Sequence, residues 1–204
     1  MLPLYLASAS PRRRELLERM GLSFLVEPPD VDEFVAPGES ARDHVVRLAA
    51  RKAATVARGL RKRGIEALVL SADTTVTIGG EILGKPKDAD EALSMLRRLA
   101  GKRHEVLTAC RLVRTDDGRA AATVVASGVR FHPWNEALAR WYVATGEPMD
   151  KAGAYGIQEL GVFLCAGIDG SWSNVVGLPL ESLPPLFADV GDDLLARVEG
   201  RKRG

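Results

Sequence analysis

Short apolar runs alternate with amphipathic stretches of helical period along this chain, and three tight-turn signals interrupt the alternation. Strands separated by helices form crossover units, whereas strands joined directly by a turn pair antiparallel. The mixture predicts an α/β fold with a mixed sheet and flanking helices. The three interruptions are Gly79-Gly80 inside Val76–Leu83, Asp116-Asp117-Gly118 between apolar runs at 106–113 and 121–131, and Asp169-Gly170 between 162–168 and 173–176. Each reads as a hairpin turn.

The helical stretches carry their own punctuation. Leu2 to Ala9 reads as a first strand, followed by a helix with Ser10 at its N-cap, Pro11 at its first position and Gly21 just past its end. Ser40 and Asp43 have capping-box spacing and open a second helix through Val45, Leu48, Ala49, Ala53 and Val56. Ala67 to Leu70 is a continuous apolar run, as in a strand covered on both faces. Asp88 and Glu91 cap a third helix that ends before Gly101, a fourth spans about 135–145, and a short one follows Pro179. No internal repeat or low-complexity linker divides the chain. Residues 1–190 are therefore expected to form a single domain, as one body or as two tightly packed lobes, with 191–204 fraying.

Charge excludes little and demands nothing. A formal net charge of +1, with 27% charged and 46% apolar residues, requires neither nucleic acid nor a membrane as partner. No run approaches the roughly 18–20 apolar residues of a membrane span. The opening Met-Leu-Pro-Leu-Tyr-Leu lacks a basic flank and reads as a strand rather than a signal peptide, so the cytoplasm is expected. Cys110 and Cys165 lie in apolar runs and read as buried, inert thiols. His44, His104 and His132 are scattered without metal-ligand spacing, and there is no Walker loop.

Chemistry concentrates elsewhere. Ser8-Ala9-Ser10-Pro11-Arg12-Arg13-Arg14 lies where a strand gives way to a helix, so free N–H groups and the positive dipole end face one crevice. Cations there cost roughly 0.3–1 kcal/mol each unless an anion offsets them. Arg12 and Arg13, with Ser8 and Ser10, therefore read as a phosphate cradle, whereas Arg14 reads as a solvated residue. Lys52 falls within the apolar stripe of the second helix, where it either snorkels to the edge or points into a site. Asp73 and Thr74 follow the buried run 67–70, and an acid there is a turn residue, a metal ligand or a base. Asp30, Asp32 and Glu33 form an acidic loop, either plainly solvated or supplying the oxygen ligands Mg²⁺ prefers beside phosphates. Gly84-Lys85-Pro86-Lys87 holds Lys85 on a stiff turn. The glycine-dense segment 147–158 has no regular pattern and ends in Gln158, whose amide can read a base edge. Together these residues suit a metal-assisted phosphate-cleaving enzyme.

Five motifs occur in a recognisable order: LASASPRRRELL at 6–17, ADTTV at 72–76, GKPKDADEA at 84–92, DKAGAYGIQ at 150–158 and NVVGLPL at 174–180. In this order, from Leu4 to about Leu186, the chain resembles the Maf (septum formation inhibitor-like) family of nucleotide pyrophosphatases. The resemblance implies a two-lobed fold similar to inosine triphosphate pyrophosphatases, with a cleft between the lobes. It implies hydrolysis of the α–β phosphoanhydride of nucleoside triphosphates with Mg²⁺ or Mn²⁺. It makes Asp73 the catalytic acceptor, with Lys52 and Lys85 catalytic beside it, and Arg12, Thr74 and Gln158 the base-specificity residues. Ser8, Ser10, Arg13, Lys52 and Lys85 would contact phosphate, and Glu33 with Asp73 would hold the metal. Arg, Thr and Gln at the three specificity positions resemble the dTTP/UTP branch, so pyrimidine nucleoside triphosphates are the implied partners, and the resemblance also implies a homodimer. Glu159 departs from the pattern, because the family usually has glycine after the glutamine. Two rival readings are a non-catalytic regulator of cell division and a pyrophosphatase for purine or modified nucleotides.

Overall fold

The computed structural model describes residues 1–202, with side chains described to residue 198. Seven strands form one mixed sheet in the order β2(Leu25–Val26)-β1(Leu4–Leu6)-β3(Leu68–Ile78)-β5(Arg103–Arg114)-β6(Ala120–Phe131)-β7(Cys165–Asp169), with β4(Glu81–Leu83) pairing β3. β1 runs parallel to both β2 and β3, and the remaining pairs are antiparallel. The helices are α1(Pro11–Arg19), α2(Ala41–Lys62), α3(Ala89–Leu99), α4(Glu136–Ala144), α5(Trp172–Val176), α6(Leu183–Asp189) and α7(Leu194–Lys202). None is long and apolar enough to cross a membrane among the described residues.

The caps expected at Ser10, Ser40 and Asp88 are formed, and Asn135 adds a fourth that the sequence reading did not name. Ser10 Oγ accepts from the Arg13 N–H, Ser40 Oγ from Asp43, Asp88 from Glu91 and Asn135 from Leu138. α2 buries Val45, Leu48, Ala49, Ala53, Val56 and Leu60 along one stripe against β3 and β5. Each leucine so buried contributes about 1.5–3 kcal/mol.

β3 spans two cores. Leu68, Leu70 and Ala72 point into one with α1 and α6, while Val76 on the same face joins a second formed with α3, α4 and Tyr155. In the second core His104 Nε2 meets Tyr155 Oη at 2.8 Å, and burial pulls its pKa down to about 4, so the ring is neutral. Along one edge β3 pairs continuously with β5, from residue 68 to 77. Along the other it pairs with β1 only at 68–70 and with β4 only at 76–78. The stretch 71–75 therefore has an open edge in the middle of the sheet.

Several elements differ from the sequence reading, each for a local reason. The first strand is Leu4–Leu6, because the chain leaves the sheet at Ala7 to build the cap of α1. Asp73 does not follow a strand that ends at Leu70. It lies within an eleven-residue strand whose pairing with β5 runs on past it. Residues 173–176 are helical rather than the second arm of a hairpin. Ser171 Oγ caps α5 by accepting from the Asn174 N–H, and Gly177 at φ +123° ends it. Residues 162–164 belong to a 3₁₀ turn, Leu160–Leu164, and β7 starts only at Cys165. The segment 147–158 contains two further 3₁₀ turns, Glu147–Asp150 and Ala152–Ala154. Where fraying was expected from residue 191, α7 runs to Lys202, Leu194 is buried, and Arg197 pairs with Asp192. Residues 203–204 lie outside the described residues.

Gly153 shows why the 147–158 segment is rich in glycine. Its φ is +69°, and a Cβ there would sit 2.9 Å from Val76 Cγ1, while its N–H bonds the Gly84 carbonyl at 3.0 Å. Gly153→Ala should therefore cost about 2 kcal/mol in backbone strain and contact, lowering Tm by about 4–8 °C for a domain of this size. Thermal unfolding followed by circular dichroism checks this, and an unchanged Tm would show that the segment can relax.

Candidate active site

The open edge of β3 is the floor of a cleft of about 300 Å³. Its lining includes Ser8, Ser10, Arg12, Arg13, Glu33, Lys52, Asp73, Thr74, Lys85 and Gln158, the ten residues to which the family resemblance gives site roles. The strand–helix junction brings Ser8 to Arg13 in from one side, and the 147–158 segment and the Lys85 turn close the other. Asp30 and Asp32 do not line the cleft; both are exposed. Of the histidines, His44 pairs with Glu39, His104 is buried in the second core and His132 is exposed. Cys110 is buried but Cys165 is only partly so, and burial pushes both thiols up to about 12, which keeps them protonated at neutral pH.

Arg13 is the most tightly held cation. Its Nη1 donates to Ser8 Oγ at 3.0 Å, Nη2 to Thr74 Oγ1 at 3.0 Å, and Nε to the Gly177 carbonyl at 2.8 Å. Burial lowers its pKa, opposed chiefly by the charge of Asp73. The Thr74 hydroxyl also meets Thr108 Oγ1 at 2.9 Å, so it acts as an anchor for Arg13. Gly177 suits this approach through its φ of +123°, which side-chain-bearing residues rarely adopt; a Cβ there would make only ordinary contacts, 3.4 Å from Thr74 Oγ1 and 3.6 Å from Arg13 Nε. Asn174 fixes the turn before it, donating from Nδ2 to the Val106 carbonyl and to Ser127 Oγ.

Lys52 resolves the alternatives its helical angle left open. Its ammonium turns inward, 2.6 Å from Asp73 Oδ1 and 2.5 Å from Glu33 Oε1. Lys85, largely exposed, stands 3.8 Å from Glu33 Oε2. Burial alone would raise Glu33, but the hydrogen bond and charge of Lys52, with Lys85 and Arg13, hold it below its ordinary value. Arg12 Nη1 bonds Asp150 Oδ2 at 2.8 Å, and Lys151 bonds the other oxygen of the same carboxylate at 2.8 Å. Gln158 Nε2 donates to Glu15 Oε2 at 3.1 Å. Glu159, the departure from the motif pattern, is exposed and has φ −123° and ψ −135°.

Asp150, Gly177, Thr108 and Asn174 were not singled out from the sequence. Asp150, Asn174 and Gly177 sit inside two of the five motifs, but a carbonyl acceptor or a buried anchor leaves no residue-type signal of its own. The cleft gathers Arg12, Arg13, Lys52, Lys85 and Lys151 against Glu33, Asp73 and Asp150, an excess of cations around an open space. A divalent metal also fits the donor chemistry. Glu33 and Asp73 bring hard oxygens together through the Lys52 ammonium, which both contact, and among the described residues no group of three or more His, Cys, Asp or Glu could hold a metal ion. Two carboxylates completed by phosphate oxygens and water are what Mg²⁺ accepts.

Fold and cleft together define an α/β protein whose sheet opens onto a cationic, carboxylate-bearing pocket. The chain belongs to the family described as Maf-like protein, which matches residues 3–190. It is 50% identical over 196 residues to a dTTP/UTP pyrophosphatase of Anaeromyxobacter sp. (strain Fw109-5), covering 94% of this chain and 91% of that one. It is 49% identical to a dTTP/UTP pyrophosphatase of Symbiobacterium thermophilum, covering 94% and 95%, and 50% identical to one of Myxococcus xanthus, covering 92% of each. A solved nucleoside-triphosphatase (dITP/XTP pyrophosphatase) of Mycobacterium abscessus covers 64% of this chain and 74% of its own at 17% identity and a TM-score of 0.40, a likeness too slight to carry an argument.

The Glu33–Lys52 contact has a pH signature. Because Glu33 is held below its ordinary value of 4.5 in the folded chain, its contribution is fully present at neutral pH. It is lost as pH falls below 4.5 through the depressed folded value. The stability difference between wild type and Glu33→Gln should thus be flat from pH 8 to 5 and shrink in acid, as read by urea unfolding at each pH. A difference that grew in acid would reverse the sign of the assigned interaction.

Proposed function

We propose that the chain is a cytoplasmic nucleoside triphosphate pyrophosphatase that converts dTTP and UTP to the nucleoside monophosphate and pyrophosphate. The observation that carries this reading is the meeting of Arg12, Arg13, Lys52, Lys85, Asp73 and Glu33 at the open edge of β3. The names of the relatives at 49–50% identity supply the pyrimidine triphosphate.

In the proposed reaction a water oxygen bonds to the α-phosphorus, the α–β bridging bond breaks, and pyrophosphate leaves. Asp73 takes the proton of that water. Its Oδ1 accepts a hydrogen bond from Lys52, which orients the carboxylate. Arg13, held on three sides, supplies a fixed charge toward the phosphoryl oxygens, and Lys52 and Lys85 offset the charge that grows on the leaving group. Arg12 is free to exchange Asp150 for phosphate, since that carboxylate keeps Lys151 as its partner. Thr74 acts through Arg13, while Gln158 faces the base. Glu33 and Asp73 would hold Mg²⁺ or Mn²⁺, which when bound lowers the pKa of water and neutralises phosphate charge.

A pyrophosphate-release assay on purified protein with dTTP and UTP, with and without Mg²⁺, tests the reading. Orthophosphate as product would show that a different bond is cut, and absence of turnover would favour a binding protein. Asp73→Asn should lower kcat by roughly 10² or more while leaving the fold intact. Lys85→Ala should weaken dTTP, UTP, CTP and GTP to a similar degree, because the phosphates are common to all four. A loss confined to one base would move Lys85 out of the phosphate site.

A further inference from the structure

No residue between Pro28 and Gly38 is buried, and residues 27–40 include no helix or strand. Such a segment has little apolar packing to fix it, so its polar contacts decide where it stands. Glu33, at its middle, nevertheless stands 2.5 Å from Lys52 and 3.8 Å from Lys85, and Pro29 with Glu33 forms part of the cleft lining. Arg47, on α2, grips the next residue. Its Nη2 donates to the Phe34 carbonyl at 2.8 Å, and its guanidinium stands 5.3 Å from the centre of the Phe34 ring. The same fork meets Glu39 bidentately, Nε donating to Oε1 at 2.5 Å and Nη2 to Oε2 at 2.7 Å. Glu39 also accepts from the Ala36 N–H at 3.0 Å and meets His44 Nδ1 at 3.0 Å, which fills the roughly four acceptor positions of a carboxylate.

Arg47 and Lys52 thus hold two successive residues of the segment from one helix, Phe34 by its backbone and Glu33 by its side chain. Lys52 has Asp73 as a second partner, and the Glu33 side chain is 44% exposed, so their contact does not by itself dictate where the segment lies. A planar fork shared between a backbone carbonyl and a carboxylate only 8% exposed fixes it in direction as well as distance. We infer that Arg47 is a positioning residue for the cleft: it fixes the segment 28–38 on α2 and so sets the Glu33 carboxylate between Lys52 and Lys85. This rests on the proposed reading in which Glu33 and the two lysines serve the triphosphate. Arg47 does not line the cleft, so it acts through Glu33 and not on the substrate.

A double-mutant cycle tests the inference. Arg47→Met keeps the aliphatic stem and removes the fork, and kcat/KM for UTP should fall roughly ten- to a hundredfold, the scale of a misplaced group in a site. In a Glu33→Gln background the same change should cost little further, because the carboxylate that Arg47 positions is already gone. A merely structural Arg47 would instead lower activity by a similar factor in both backgrounds. Amide hydrogen exchange gives a reading without turnover. Residues 30–36 should exchange faster in Arg47→Met but not in Glu33→Gln, which keeps the hold on Phe34, while β3 stays protected in both. Should Arg47→Met melt too low to assay, Arg47→Met with Glu39→Gln removes both charges of the pair and takes its place in the cycle. Absence of pyrophosphate release by wild type, or full activity of Glu33→Gln, would defeat the underlying reading of the cleft. If wild type turns over and Glu33→Gln is impaired, yet the losses multiply in the double variant or exchange at 30–36 is unchanged, Arg47 does not position Glu33.

Discussion

The Lys52 ammonium, buried between Asp73 and Glu33, is where the long helix, the central strand and the acidic loop meet. An ammonium taken out of water costs several kcal/mol unless it is paired, and removing one partner of a buried pair typically costs about 3–5 kcal/mol. α2 delivers this charge because its apolar stripe includes position 52, so packing Leu48, Ala49 and Ala53 against the sheet carries Lys52 inward with them. Ser71, two residues before Asp73 on the same face, donates to the Ala49 carbonyl at 2.7 Å and sets the register of helix on strand. The loop from Pro28 to Gly38 has little regular structure and is anchored through Arg47, which bonds Glu39 and the Phe34 carbonyl and so keeps Glu33 within reach.

Opposite this pair, Arg13 joins parts of the chain that are distant in sequence. Ser8, Thr74 and Gly177 come from the first crossover, the central strand and the last third of the protein, and all three converge on one guanidinium. Its rigid fork of donors suits such a role better than a flexible lysine would. Asp73 and Thr74, adjacent in a strand, point to opposite faces, the first toward Lys52 and the second toward Arg13. Only because the edge is unpaired at 71–75 can a single cleft reach both faces.

Much of this was legible from residue types. The caps at Ser10, Ser40 and Asp88 follow from local hydrogen-bond chemistry, and the buried angle of Lys52 follows from helical period. The errors have equally local causes. Residues 173–176 look like a strand because Val175 and Val176 are β-branched, yet Ser171 caps them and Gly177 stops them, so the turn chemistry outweighs the propensity. Asp73 looks like a residue after a strand because polar residues interrupt the apolar run, but Ser71 and Asp73 are polar on a buried face and find their partners on α2. Glu15 carried no signal at all, since a glutamate on a helix of alternating charge is ordinary until Gln158 is seen against it.

By itself the sequence determined which elements form and which chemistry they carry, because capping, periodicity and turn geometry act over a few residues. It also determined the inventory of cations, carboxylates and amide that a nucleotide site requires, through motifs read in order. Where these groups stand relative to one another was decided only by tertiary pairing. β1 and β4 claim different ends of the same edge of β3, and the stretch left between them becomes the cleft floor. The orientation of the Gln158 amide and the anchoring of Arg13 on a backbone carbonyl likewise depend on contacts more than a hundred residues apart in the chain. Such contacts exist only once the sheet has closed around them, so no local signal could announce them.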